Sequence, residues 1–359
     1  MRLLTVVGNR PQFIKSAPLS VALREAGLEE VVVHTGQHWD PALSAVFYEE
    51  LGLAEPDVAL DLRTSDVATI ETALRRVVAD VQPDALLIYG DTNSTLAGGR
   101  AGGGVPVAHV EAGLRTYRPG APFPEEANRR AIALLADMHF APTPAAKANL
   151  AAERLHGAVH VTGNSGLDAL RLVLGQIGPA PAAEGGTRLV LVTCHRRESF
   201  GAPFAGIAAA LARLAARPGV EILFLRHPNP GIGAAPAGAR TLPPLGLAEF
   251  VRLMQRADLI LTDSGGVQEE AAALGRPVVI LREATERPEG AAMLAGADPD
   301  RIVHAAEAWL EGTLPPPAPS DAYGDGFAAT RIVDALAGRP VDEFSPNRLA
   351  PTGWSALTS

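Results

Sequence analysis

Short apolar runs recur along this chain, each closed by glycine, proline or a polar cluster and each followed by a helix-like stretch. In the first half they are Leu3 to Val7, Val31 to His34, Ala85 to Tyr89, Val105 to Val110, Met138 to Ala141 and Val159 to Thr162; in the second, Leu189 to Thr193, Val220 to Leu225, Leu259 to Thr262 and Val278 to Leu281. Most of them lack a polar alternation. That pattern marks strands buried on both faces, as in a parallel sheet covered by helices. Strands alternating with helices predict an α/β class, here as two doubly wound, Rossmann-like domains. With 359 residues the chain also exceeds the roughly 250 to 300 that a single core supports. The weakest-patterned segment, "GQIGPAPAAEGGTR" from Gly175 to Arg188, reads as the linker. The expected division is therefore 1–174, 175–340 and a tail at 341–359. A closing helix is expected from about Phe327, after a proline-rich stretch.

Composition narrows the partners. A net charge of −9 argues against a nucleic-acid binder, whose phosphate contacts need a basic face. The single cysteine, Cys194, excludes an intramolecular disulfide and a cysteine metal cluster. The first apolar run is too short for a signal peptide, and none approaches the roughly 18 residues of a membrane span. A cytoplasmic protein without membrane, metal or cofactor is the expectation.

In doubly wound sheets, ligands bind beyond the carboxyl ends of the strands, where helix N-termini also point. Polar residues at those places carry most weight. "GNRPQFIK" sets Arg10 and Lys15 beside a helix start, either as an anion clamp or as two solvated bases. It lacks the GxGxxG of a dinucleotide site, so no nicotinamide cofactor is expected. In "YGDTNSTLAG", Asp91 follows a strand and reads as a helix N-cap or as a carboxylate poised for proton transfer. Glu111, in "HVEAGLRT", ends a strand where Glu has no local reason to be. Burial there would suit it to acid or base work, provided no cation offsets it. Glu125 and Glu126 open a helix with Arg129 and Arg130 a turn later, charges that the helix dipole and i,i+4 pairing also explain. "TCHRRESFG" places His195, Arg196 and Arg197 after a strand, and "LRHPNP" places His227 after the next, a constellation suited to a polyanion. In "TDSGGVQEEA", the Ser264 hydroxyl and the N–H groups of Gly265 and Gly266 can face a phosphate, and Glu270 a ribose diol. Together they describe a nucleoside diphosphate.

With these residues in place, the sequence resembles the non-hydrolysing UDP-N-acetylglucosamine 2-epimerases. The resemblance runs through "GNRPQFIK", "HTGQH", "YGDTNST", "HVEAGLRT", "PEEANR", "CHRRESFG", "TDSGGVQEEA", "TERPE" and "YGDG". It implies two Rossmann-like domains of the GT-B glycosyltransferase type, an active site in the cleft between them, a C-terminal helix packed back on the first domain, and a homodimer. It further implies that Arg10, Lys15, His195, Ser264, Gly265, Gly266, Glu270 and Arg287 contact UDP, that Phe250 lies against uracil, and that Asp91, Glu111 and Glu125 are the catalytic carboxylates. Gln37 and His38 match the residues that bind an activating second substrate molecule in some members. Asn9 and Gln12 replace the usual Thr and Glu of the first loop, as in the branch that includes epimerases of UDP-2,3-diacetamido-glucuronate.

The resemblance implies anti elimination of UDP to a 2-acetamidoglucal and re-addition on the other face, because the sugar C2 proton is not beside a carbonyl and UDP is a good leaving group. Rival readings are a retaining UDP-sugar glycosyltransferase, which needs an acceptor, a hydrolysing epimerase, which releases UDP, and a nucleotide-sugar sensor without chemistry.

Overall fold

The computed structural model describes residues 1–37, 50–118, 120–181, 186–226, 236–290 and 292–346. It divides into two compact units, Met1–Leu172 with the segment that begins at Gly324, and Val173–Tyr323.

The first unit runs β1 (Arg2–Val7), α1 (Arg10–Glu25), β2 (Glu29–His34), β3 (Val58–Ala59), α2 (Val67–Val81), β4 (Ala85–Tyr89), α3 (Asn93–Ala101), β5 (Val107–Val110), α4 (Glu125–Ala133), β6 (Met138–Ala141), α5 (Pro144–Ala152), β7 (Ala158–Val161) and α6 (Ser165–Ile177). Its seven strands pair in the order β3-β2-β1-β4-β5-β6-β7, all parallel. The continuous apolar runs are explained by this placement: every residue of β4 is buried, as are all of β1 after Arg2. Strand order reverses between β1 and β4, the switch point at which such sheets bind ligands.

The second unit runs β8 (Arg188–Thr193), a 3-10 turn at Arg197–Ser199, α7 (Ala202–Ala215), β9 (Val220–Leu225), β10 (Arg240–Leu242), α8 (Leu247–Arg256), β11 (Leu259–Thr262), α9 (Gly265–Ala273), β12 (Val278–Ile280), β13 (Ala292–Leu294) and α10 (Pro299–Leu310). Its sheet is parallel in the order β10-β9-β8-β11-β12-β13, with the reversal between β8 and β11.

Two details differ from the sequence reading. The edge strands β3, β10 and β13 have only two or three residues each, too few for periodicity to reveal them. The segment expected to be a linker from Gly175 begins inside α6, which continues to Ile177, and the division of the chain falls between Leu172 and Val173. The last helix, α11 (Ala328–Leu336), belongs with the first unit: Ile332, Val333 and Leu336 join the cluster that holds Phe13, Leu19 and Leu23 of α1. Among the described residues no helix is long and apolar enough to cross a membrane.

Candidate active site

In the first unit the chain ends of β1, β4, β5 and β7 bring four loops to one edge of the sheet. Asn9 caps α1, its Oδ1 accepting from Gln12 N at 3.1 Å, and Pro11 takes the second helical position, where its missing N–H costs nothing. Gln12 is buried and joins two of these loops. Its Oε1 accepts from Gly8 N at 2.8 Å, while its Nε2 donates to Tyr89 O at 2.8 Å and reaches the Thr92 and Thr95 hydroxyls at 3.0 and 2.7 Å. One amide thus ties the start of α1, which carries Arg10 and Lys15, to the loop carrying Asp91. Arg10 is the first residue of α1 and half-buried.

Asp91 is not the helix cap. Thr92 caps α3, accepting from Thr95 N at 3.2 Å, which leaves the Asp91 carboxylate to Arg129: Nε and Nη2 approach Oδ2 at 2.9 and 2.7 Å. Asn128 Nδ2 donates to the Asp91 carbonyl at 2.9 Å. Arg129 is itself buried between Asp91 and Glu126, which lies 3.1 Å from its Nη1. Glu126 also accepts from the backbone N–H groups of Thr116 and Tyr117 at 3.1 and 3.2 Å. So the two acidic residues at the start of α4 divide: Glu126 is fully committed to the fold, and Glu125 is half-buried at the first helical position.

Glu111 directly follows β5 with a φ of 66°, a left-handed conformation that costs a non-glycine residue and clusters at functional sites. The cation that could offset its burial is present: Lys15 Nζ pairs with Glu111 Oε2, while Asn164 Nδ2 donates to Oε1 at 3.2 Å. Gly90, at φ 67°, makes this approach possible, since a Cβ there would stand 3.1 Å from Glu111 Oε2. Gly90 is fixed in turn by His109, whose Nε2 lies 2.7 Å from its carbonyl. Burial lowers the His109 pKa to about 4, so the ring is neutral at physiological pH.

In the second unit, Ser264 caps α9, its hydroxyl 3.5 Å from Val267 N. The first-turn N–H groups of a helix have no partner within it and attract anions. Gly265 is required by packing: a Cβ would meet the Arg287 guanidinium carbon at 2.6 Å, whereas a Cβ on Gly266 meets nothing within 4 Å. Arg287 is buried and aligned by two carboxylates, Glu269 at 2.6 Å from Nε and Glu286 at Nη1. Glu286 also binds Arg282 at 3.0 Å, and Arg282 binds Glu198 at 2.7 Å. Glu270 is half-buried on α9, and Phe250 is buried on α8.

His195 stands just past β8 with its Nδ1 3.3 Å from Asp263 Oδ1. Asp263 was not singled out by sequence reasoning, because an Asp before Ser-Gly-Gly reads as part of a helix start. Arg129 and Asn164 were likewise missed as supports of carboxylates. Gln37 Oε1 accepts from Ser94 N and Oγ at 3.1 and 2.7 Å, and so holds the first turn of α3. His38 and His227 lie outside the described residues, as does the side chain of Arg197. Among the described residues no group of three or more His, Cys, Asp or Glu is arranged to hold a metal ion.

A family model described as UDP-N-acetylglucosamine 2-epimerase matches residues 21–337. The chain is 38% identical over 378 residues to the UDP-N-acetylglucosamine 2-epimerase of Yersinia pestis, covering 95% of this chain and 100% of that protein. Over 372 residues it is 38% identical to the enzyme of the same name from Escherichia coli K12, covering 94% and 98%. Among solved structures it is similar to UDP-GlcNAc 2-epimerase from Neisseria meningitidis bound to UDP-GlcNAc, with a TM-score of 0.87, 32% identity and 94% and 100% of the two chains covered. The S. aureus MnaA–UDP structure matches with a TM-score of 0.86, 32% identity and coverage of 96% and 100%. A spinosyn rhamnosyltransferase shares the fold at 18% identity, with a TM-score of 0.51 and coverage of 95% and 97%.

Proposed function

This chain belongs to the UDP-N-acetylglucosamine 2-epimerase family, and from that premise we propose that it interconverts UDP-N-acetylglucosamine and UDP-N-acetylmannosamine by eliminating and re-adding UDP. The observation that carries the reading is the contrast between the units: cation-paired carboxylates at adjacent strand ends in one, Glu111 buried and Asp91 half-buried, and a glycine-opened helix start beside a clamped arginine in the other.

The chemistry follows from those groups. A carboxylate takes the C2 proton as the C1–O bond breaks, the electron pair leaves with UDP, and C1 and C2 become doubly bonded in a 2-acetamidoglucal. Return of a proton to the opposite face of C2, with attack of a UDP oxygen on C1, gives the epimer. Asp91, Glu111 and Glu125 form the acid/base set. Lys15 and Arg129 keep Glu111 and Asp91 oriented. Arg10, Lys15, His195, Ser264, Gly265, Gly266 and Arg287 bind the diphosphate and stabilise the charge that develops on it, an electrostatic contribution that is greatest for preorganised donors. Glu270 reads the ribose and Phe250 the uracil. Gln37 and His38 are the residues at which a second substrate molecule would act. On the same reading the enzyme works in the cytoplasm as a homodimer, in polysaccharide biosynthesis.

Proton NMR of UDP-N-acetylglucosamine with the purified protein in heavy water tests this. The expected result is UDP-N-acetylmannosamine carrying deuterium at C2. Intact, unexchanged substrate would overturn the reading, and accumulation of free UDP with a reducing sugar would replace it with hydrolysis.

A further inference from the structure

Asp263 lies between β11 and α9 with no solvent exposure, against the loop that follows β8. The backbone N–H of His195 donates to its two oxygens at 3.1 and 3.0 Å, the N–H of Arg196 to Oδ2 at 2.9 Å, and the Ser199 hydroxyl to Oδ2 at 2.8 Å. The Cys194 thiol is 3.4 Å from Oδ2. Those donors compensate the burial of the charge. The imidazole contact, Nδ1 to Oδ1 at 3.3 Å, is additional to them and involves one ring nitrogen.

We infer that Asp263 is the positioning residue of His195: its carboxylate holds the proton on Nδ1 and fixes the ring plane, so that Nε2 is the nitrogen offered to the departing diphosphate oxygen. This inference rests on the proposed reading, in which His195 binds the diphosphate. A carboxylate behind an imidazole sets the tautomer and stabilises the imidazolium. Such an imidazolium donates a charge-assisted hydrogen bond through Nε2 as negative charge builds on UDP. Asp263 is suited to the task because it stays ionised. Burial alone would raise its pKa, but the His195 charge, the N–H groups of Arg196 and His195 and the Ser199 hydroxyl outweigh that and hold it below the usual carboxylate range. The neighbouring Cys194 thiol is pushed up, chiefly by burial and next by Asp263 itself, and remains protonated.

The test combines kinetics with ring NMR on the full chain. In Asp263→Asn, kcat should fall about 10²-fold or more while KM changes little, and the His195 pKa should drop by about one unit or more. Combined with His195→Gln, the Asp263→Asn change should add no more than about a twofold further loss, since both act through one ring. Full multiplication of the two losses, or an unmoved His195 pKa, would reduce Asp263 to a loop anchor and overturn the inference. If Asp263→Asn does not fold, 15N shifts of the wild-type His195 ring decide. A ring protonated on Nδ1 supports the inference, and a neutral ring with bare Nδ1 overturns it. The ring measurement needs no turnover, so a wild-type protein that fails to epimerise would sink the proposed reaction without deciding this contact.

Discussion

Lys15 and Glu111, 96 positions apart in sequence, form an ion pair largely shielded from solvent at the carboxyl ends of β1 and β5. Removing one partner of such a pair strands the other charge, which costs more than the pair itself contributes. Lys15→Met should therefore destabilise the protein by about 3 kcal/mol, and the double variant Lys15→Met/Glu111→Gln should recover a large part of that. Urea unfolding of these two variants, of Glu111→Gln alone and of wild type closes the cycle. Strict additivity would mean that the two groups are not coupled in solution.

Asp91 and Arg129 carry the second prediction. Because Thr92 caps α3, Asp91→Asn leaves the helix start intact and removes only the charge. Turnover should fall by about 10³-fold, within the range lost with a general acid or base, while UDP affinity measured by calorimetry stays within a few-fold. Arg129→Lys should also slow turnover, since an ammonium cannot reproduce the guanidinium's joint hold on Asp91 and Glu126. Near-normal turnover of Asp91→Asn would remove Asp91 from the mechanism.

The sheets and the carboxylates at their ends were legible for one reason: a parallel strand covered on both faces writes itself as a continuous apolar run, and the residue that follows it is automatically placed where ligands bind. Glu111 stood out because nothing local justifies a Glu there. Supporting residues carry no such local mark. Arg129 reads as an ordinary helix-surface base until the fold brings it 38 positions back to Asp91. Asp263 reads as part of a helix start until β8 and β11 pair and set the His195 loop against it. Gln12 shows in sequence only as a departure from a usual Glu. Its meaning depends on Tyr89 O and two threonine hydroxyls from another loop, and an amide N–H can donate to that carbonyl where an ionised carboxylate cannot.

Gly265 and Gly266 should behave differently although they are adjacent. A methyl on Gly265 would collide with a guanidinium that Glu269 and Glu286 prevent from yielding. Gly265→Ala should cost about 1–3 kcal/mol in urea unfolding, the usual penalty of overpacking, and should weaken UDP binding as Arg287 is displaced. Gly266→Ala has open space around it. It should fold with stability within about 0.5 kcal/mol of wild type yet bind UDP less tightly, because the methyl stands where a phosphate oxygen would approach the helix. Equal stability of the two variants would contradict the packing argument.

Asp168 gives a pH dependence with a definite sign. It is buried on α6 and accepts from Ala328 N and Ala329 N at 3.1 and 2.8 Å, tethering the start of α11. Burial raises its pKa to about 7, against the pull of those two N–H groups and of Arg331, and with the Asp325 charge acting in the same direction as burial. In the unfolded chain the carboxyl titrates near the ordinary aspartate value of 3.8. Between these values the folded state holds a proton that the unfolded state has lost, so stability falls as pH rises from about 4 to about 7 and then levels off. The stability advantage of wild type over Asp168→Asn should shrink across that window and stay constant above it, as read from urea midpoints in steps of pH. A constant difference from pH 4 to 7 would show that Asp168 is already ionised at pH 4, with the helix-start N–H groups and Arg331 prevailing over desolvation.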